Sequence, residues 1–302
     1  MKSLTLKQFR YFEALAAQRH FGHAAAVCAI SQPALSVQIK EMERILGTAL
    51  FERSARQVRL TPFGEAFALR VRDILHRVDE LEDLARTAQG QFVGKFRMGV
   101  IPTIAPYLLP RVLRNLAISH AGLDIHVRET LTPKLVQELL QGRIDTAIVA
   151  LPVSEPALME MPLFSEDFLL VRPASDADTP VPTPEELRNL RLLLLEEGHC
   201  FREQALSFCN LGPSQPRDGL DGSSLATLVQ MVGAGIGVTM IPEMAQAVET
   251  RSAAVTCARF NGAQPTRHIG MVWRKTSPLD AQLREIADVV RASASPDSPS
   301  AS

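Results

Sequence analysis

The sequence predicts a multidomain α/β protein: an N-terminal winged helix-turn-helix head, a long linking helix, and a larger body in which strands and helices alternate. Three observations predict it. Two short helical patterns meet at Ser31 behind a first helix, an apolar heptad runs from Phe67 to Ala88, and beyond Gly94 short apolar strands alternate with amphipathic helices. A chain of 302 residues has room for two or three domains, and 46% hydrophobic with 22% charged residues is the balance of a globular protein.

The head comes first. Residues 4–18 read as a helix with Leu6, Phe9, Phe12, Leu15 and Ala16 on one face. His23–Ala29 reads as a short second helix and Ser31–Glu43 as a third, with Ser31 a candidate cap and Pro33 tolerated in the first turn, where the backbone N–H has no helical partner. Two helices around a tight turn fit a helix-turn-helix. Phe51–Thr61 alternates like a hairpin and carries Arg53, Arg56 and Arg59, which suits a wing lying along phosphates.

Charge separates head from body. Residues 1–62 hold nine Lys/Arg against four acids, so a chain of net charge −1 splits into +5 there and −6 over the rest. A basic head on an acidic body points to nucleic acid, although a solvated basic face would look the same. On a recognition helix the N-terminal part meets the bases, and here it offers Ser31, Gln32, Pro33, Ser36 and Gln38. Gln pairs with adenine, Ser is adaptable, and Pro33 and Ala34 fit thymine methyl groups. Lys40, Arg53, Arg56 and Arg59 are assigned to phosphates. The head has no dense comb of arginines, so DNA shape is expected to supplement direct contacts.

Thr61-Pro62 opens the long helix. Phe67, Val71, Ile74, Val78, Leu81, Ala85 and Ala88 alternate at spacings of four and three, which reads as a dimer seam and alternatively as an amphipathic helix packed on its own domain. Gly90 to Gly94 breaks the pattern. Strands follow at 96–101, 123–129, 146–150, 169–172, 192–196, 238–241 and 268–273, with helices at 105–117, 133–141 and 281–292, an alternation that predicts largely parallel sheets. The Ser/Ala/Pro tail at 294–302 is low in complexity and predicted to be disordered.

Two of the four cysteines, Cys200 and Cys209, are nine residues apart, and Cys200 stands between His199 and Phe201-Arg202. Cys200–Leu206 reads as helix, which puts the thiol in a first turn where open N–H groups favour a thiolate. His199 and Arg202 add possible donors, and Glu196 and Glu197 oppose them. Nine helical residues span about 13 Å, whereas a disulfide needs Cα atoms about 5.5 Å apart. The pair is therefore either two inert packing residues or a redox pair that cannot close without remodelling its helix. Cys28 and Cys257 read as packing residues.

Several motifs occur together and in order. Phe9-Arg10-Tyr11-Phe12, Ala24-Ala25-Ala26, Ser31-Gln32-Pro33-Ala34-Leu35-Ser36, Leu46-Gly47, Leu50-Phe51-Glu52-Arg53 and Leu60-Thr61-Pro62-Phe63-Gly64 resemble the winged-helix head of LysR-type transcriptional regulators. Gly99–Thr103, Pro106–Pro110, Glu197–Cys200 through Phe208-Cys209, and Arg274–Leu279 resemble the peroxide-sensing subfamily of those regulators. The resemblance implies a head at 1–62, a dimerisation helix at 63–90 and a regulatory body at 91–293. The body would be built like a type 2 periplasmic binding protein, with one subdomain at about 91–165 plus 269–293 and another at about 166–268. It further implies a homodimer or homotetramer that bends double-stranded promoter DNA, works with RNA polymerase and activates oxidative-stress genes when hydrogen peroxide oxidises Cys200 and Cys209 resolves it. The implied peroxide pocket is Thr103, Thr132, His199 and Arg267, with no cofactor and no metal. Locally, Thr132-Pro133 reads as an N-cap followed by proline.

Other classes fit less well. A LysR-type regulator of a small carboxylate effector would use the same body, but has no need of the cysteine pair. Gly233–Gly237 superficially resembles a dinucleotide loop yet follows a helix and precedes a strand, the reverse of the required order. A thiol peroxidase has no use for the head, and no zinc-ligand spacing appears. Without a signal-like N-terminus or a long apolar run, the chain is expected to be cytoplasmic and not membrane-bound.

Overall fold

The computed structural model describes residues 3–53, 58–88, 92–209, 221–262 and 264–294. The chain forms two compact units, Met1–Ala85 and Arg86–Ser302. Predictions for Arg56 and the C-terminal tail 295–302 lie outside the described residues, as does the side chain of Arg53.

In the first unit α1 (Leu6–Gln18) starts in a capping box. Gln8 N donates to Thr5 Oγ1 at 3.2 Å while Thr5 N donates to Gln8 Oε1 at 3.0 Å. Next, α2 (Phe21–Val27) begins two residues earlier than predicted, because the His20 ring accepts from His23 N and caps it. Then α3 (Gln32–Leu46) is capped by Ser31, whose hydroxyl accepts from Ala34 N at 3.3 Å, and it ends at Gly47 with φ 69°. The hairpin follows as β1 (Phe51–Arg53) and β2 (Val58–Leu60), antiparallel with Phe51 opposite Leu60. Phe12, Leu15, Leu35, Ile39, Met42 and Leu50 are fully buried at the centre of this unit.

The helix α4 (Pro62–Ala88) begins at a close approach. Thr61 Oγ1 accepts from Gly64 N at 2.9 Å, and a Cβ on Gly64 would stand 2.1 Å from the Leu50 carbonyl oxygen. The heptad divides along this helix. Phe67 and Val71 pack into the core of the head, and Leu75 joins them; Ile74 and Leu81 remain exposed, Leu81 at 65%. The side chains of Ala85 and Ala88 lie outside the described residues. The N-terminal part of the pattern thus serves the head, and only its later part is open to a partner.

The second unit runs β3 (Gly94–Val100), α5 (Ala105–Ser119), β4 (Leu123–Glu129), α6 (Thr132–Leu140), β5 (Thr146–Leu151), β6 (Leu158–Pro173), β7 (Leu194–Leu195), α7 (Cys200–Phe208), β8 (Asp221–Gly222), α8 (Leu225–Gly233), β9 (Thr239–Pro242), α9 (Gln246–Glu249), β10 (Val255–Ala258), β11 (Thr266–Arg274) and α10 (Asp280–Ala294). Its main sheet has the order β10-β6-β11-β5-β3-β4, with β9 also on β6. The prediction of largely parallel sheets is corrected. β3 is parallel to β4 and β5, but β11 runs against β5 and β6, and β9 and β10 run against β6. Neighbouring parallel strands need a crossover, usually a helix, and only β3–α5–β4 and β4–α6–β5 supply one in the main sheet.

The strand β6 is also much longer than the predicted 169–172. Its first part carries Glu160, Pro162, Ser165 and Glu166, which break the apolar run that marks a strand. Two buried clusters share it: Leu158 and Leu163 pack with β3, α5, β5 and α10, whereas Phe168 to Val171 pack with α7, α8 and β9. No helix among the described residues is long and apolar enough to cross a membrane.

Candidate redox site and nucleic-acid interface

Where the two clusters meet, the register of β6 and β11 sets Arg267 opposite Glu166. The Arg267 side chain is 0% exposed. Its Nε and Nη2 donate to Glu166 Oε1 at 2.8 and 2.5 Å, Nη1 donates to Thr103 Oγ1 at 2.8 Å, and Nη2 reaches the Thr103 carbonyl at 3.1 Å. Phe168 and Phe201 flank the guanidinium with ring centroids at 6.0 and 5.8 Å. A guanidinium keeps its charge when buried, so it needs a counter-charge and hydrogen bonds, and this cage provides both. Burial pushes the Glu166 carboxyl above its ordinary range, and Arg267 pulls it back.

Thr103 is buried on the turn between β3 and α5, where Ile104 is the helix N-cap; its hydroxyl serves Arg267, not the helix. Thr132 corrects the capping expectation. Leu131 is the N-cap and Thr132 the first helical residue, and its buried Oγ1 has no hydrogen-bond partner among the described residues. A buried hydroxyl without a protein partner is costly.

Cys200 is the first residue of α7 and half-buried, with His199 as N-cap making no side-chain cap bond. The thiol therefore sits at open helix N–H groups. Burial lowers the His199 pKa, with Glu196 opposing, which favours the neutral imidazole. Arg202 does not turn toward the thiol: Nη1 donates to the Leu195 carbonyl at 2.7 Å and pairs with Asp221 at 2.7 Å. Glu196 and Glu197 are exposed.

His199 and Thr103 line one cleft of about 410 Å³ with Tyr107, Glu129, Ser224 and Glu249. Cys200 lines a separate cavity of about 460 Å³ with Glu203, Gln204, Ser207 and Thr266. The predicted set is thus divided: Thr103 and Arg267 bond directly, His199 joins Thr103 in the cleft, and Cys200 lines the separate cavity.

Cys209 is 0% exposed at the C-cap of α7, its carbonyl accepting from Arg188 Nε at 2.9 Å. None of the four cysteines is in a disulfide. Cys28 and Cys257 pack against the hydrophobic clusters, and burial raises both thiols.

Sequence reasoning missed Glu166 and Gln204. Glu166 is 101 residues from Arg267 and carries no local signal. Gln204 was findable: it lies one turn beyond Cys200 on the same helix face, and its buried Oε1 has no partner among the described residues.

In the head, Ser31, Gln32, Pro33 and Lys40 are exposed on α3, and Ser36 is half-buried. Gln38 is half-buried and its Oε1 accepts from Gln8 Nε2 at 3.3 Å, so it faces α1.

Comparison with known proteins decides the family. The family described as LysR substrate binding domain matches residues 89–295, and the bacterial regulatory helix-turn-helix family of lysR type matches residues 6–65. The chain belongs to the LysR family. This LysR-family chain is 41% identical over 292 residues to a probable hydrogen peroxide-inducible genes activator of Streptomyces viridosporus, covering 95% of this chain and 93% of that one. It is 35% identical to the DNA-binding transcriptional dual regulator OxyR of Escherichia coli K12, over 96% and 95% of the two chains. A full-length OxyR variant from Pseudomonas aeruginosa matches with TM-score 0.76 at 34% identity over 96% of each chain. A hydrogen-peroxide-bound OxyR mutant from Corynebacterium glutamicum matches with TM-score 0.65 at 34% identity, covering 97% and 93%. The LysR-family chain thus groups with OxyR-type regulators along nearly its whole length.

Proposed function

We propose that the chain is a hydrogen-peroxide-responsive transcriptional activator, with Cys200 as sensor and Cys209 as resolving thiol. One observation carries this reading: the two thiols stand at opposite ends of one intact helix. The Cys200 thiolate attacks one peroxide oxygen, the O–O bond breaks, and hydroxide leaves and takes a proton to become water. Cysteine is oxidised to sulfenic acid and peroxide is reduced. The Cys209 thiol then attacks the sulfenic sulfur and releases a second water as the disulfide forms. Ends about 13 Å apart cannot meet while the helix persists, so oxidation changes shape. The leaving oxygen needs placed donors. We assign that task to Thr103 and Arg267, which bond to each other, and to the Thr132 hydroxyl and His199.

The change is read out at promoter DNA, where a homodimer or homotetramer joined partly through the exposed Ile74 and Leu81 presents its heads and engages RNA polymerase. A carboxylate effector is the weaker reading, because Glu129 and Glu249 line the cleft and would repel an anion.

The test is differential thiol alkylation with mass spectrometry, with and without stoichiometric peroxide, in wild type, Cys200→Ser and Cys209→Ser. A 200–209 disulfide in wild type and a trapped sulfenic acid at Cys200 in Cys209→Ser are expected. A wild-type chain that keeps both thiols under peroxide refutes the switch.

A further inference from the structure

The recognition helix offers the DNA an apolar side chain outside the expected set of base readers. Val37 is 61% exposed on α3. It lies one turn beyond Pro33 and three residues before Lys40, so the three share a stripe, while Leu35, Ile39 and Met42 are buried and seat the helix in the head. A lone exposed valine is commonplace. Two further observations give this one meaning. Gln38, its neighbour, is withdrawn into a bond with Gln8, so the outward place on this turn belongs to Val37. The stripe also ends in exposed Lys40, within a head of net charge +5.

We infer that Val37 is a specificity-determining residue that packs against the C5 methyl of a thymine in the major groove. That methyl is the one apolar mark among the base edges there, and an aliphatic side chain is its complement. Pro33 forms the second wall of the contact, and Lys40 holds a neighbouring phosphate and fixes the register. The inference rests on the reading of the head as a DNA binder and names the base it selects.

The experiment uses the full chain. Sites are selected from a random duplex library, and the strongest is resynthesised with deoxyuridine replacing one thymine at a time, which removes only the methyl. At one thymine per half-site, uracil is expected to weaken wild type about four-fold, the effect of one methyl-sized apolar contact. Val37→Ser is expected to bind thymine and uracil there equally, while keeping the wild-type response at every other position. Val37→Thr, which keeps the shape, is expected to fall between them. Wild type indifferent to uracil everywhere, or a Val37→Ser variant with the full wild-type loss, overturns the assignment. A wild-type chain that enriches no sequence overturns the DNA-binding reading itself, a distinct outcome.

Discussion

Glu166 shows how much one oxygen can carry. Its Oε1 takes two of the hydrogen bonds that hold Arg267, and no other acid pairs with that arginine among the described residues. Glu166→Gln keeps the volume and removes the charge, leaving a guanidinium uncompensated in the interior. A stability loss of about 3–5 kcal/mol is expected in urea unfolding. Thr132 predicts the opposite sign. Its hydroxyl has no partner among the described residues, so Thr132→Val is expected to leave the reduced protein equally stable or about 1 kcal/mol more so. If the hydroxyl serves peroxide, the same variant oxidises more slowly at Cys200, measured by rapid-quench alkylation. His199 gives a pH dependence. Its pKa is lowered on folding, so below the unfolded value of about 6.5 the unfolded chain binds more protons. Stability is full above that pH and falls as pH drops through the lowered folded pKa; His199→Gln should flatten this part of the unfolding profile. Of this site, the sequence alone made Cys200 legible, because a glycine, a histidine and a following helical pattern place it at a helix start. Thr103 and Arg267 lie 164 residues apart; family resemblance alone put them in one pocket, and the bond between them was not foreseen. Glu166 had no signal at all, since charge pairing across two strands leaves no periodicity.

At the scale of elements, Leu60-Thr61-Pro62-Phe63-Gly64 shows what a motif encodes. Threonine caps the long helix, proline starts it, and glycine lets the helix pass beneath the Leu50 carbonyl. Gly64→Ala would put a carbon 2.1 Å from that backbone oxygen, so a cost of roughly 1–3 kcal/mol or more and loss of DNA binding are expected in melting and gel-shift measurements. The head was the most legible part of the chain because its helices carry a clear apolar periodicity and Ser31 caps the third as read; the caps at Thr5 and Gly47 were not read, and α3 runs past the predicted Glu43 to Leu46. The body was less legible. Its strands were found where they are continuously apolar, as in β5, and missed where polar residues face the junction, as in the first half of β6.

At the scale of the whole molecule, β6 runs through both cores of the body, so neither can shift without straining the strand they share. The helix α7 between Cys200 and Cys209 belongs to the second core. Arg188 grips the Cys209 carbonyl, and Arg202 ties the first turn to Leu195 and Asp221. The proposed switch unwinds α7 when Cys200 and Cys209 bridge; under it these anchors are lost with the helix and so favour the dithiol over the bridged form. A dithiol favoured in this way makes its disulfide a stronger oxidant, as a general property of thiol couples. Under the proposed switch, Arg188→Ala and Arg202→Ala are each expected to make the reduction potential more negative in a glutathione titration, with unchanged or raised potentials counting against it. The consequence is temporal. Under the proposed switch, two arginines that touch neither sulfur would set the lifetime of the alarm: the tighter they hold the wound helix, the more readily ordinary cellular thiols would erase the record that peroxide was present.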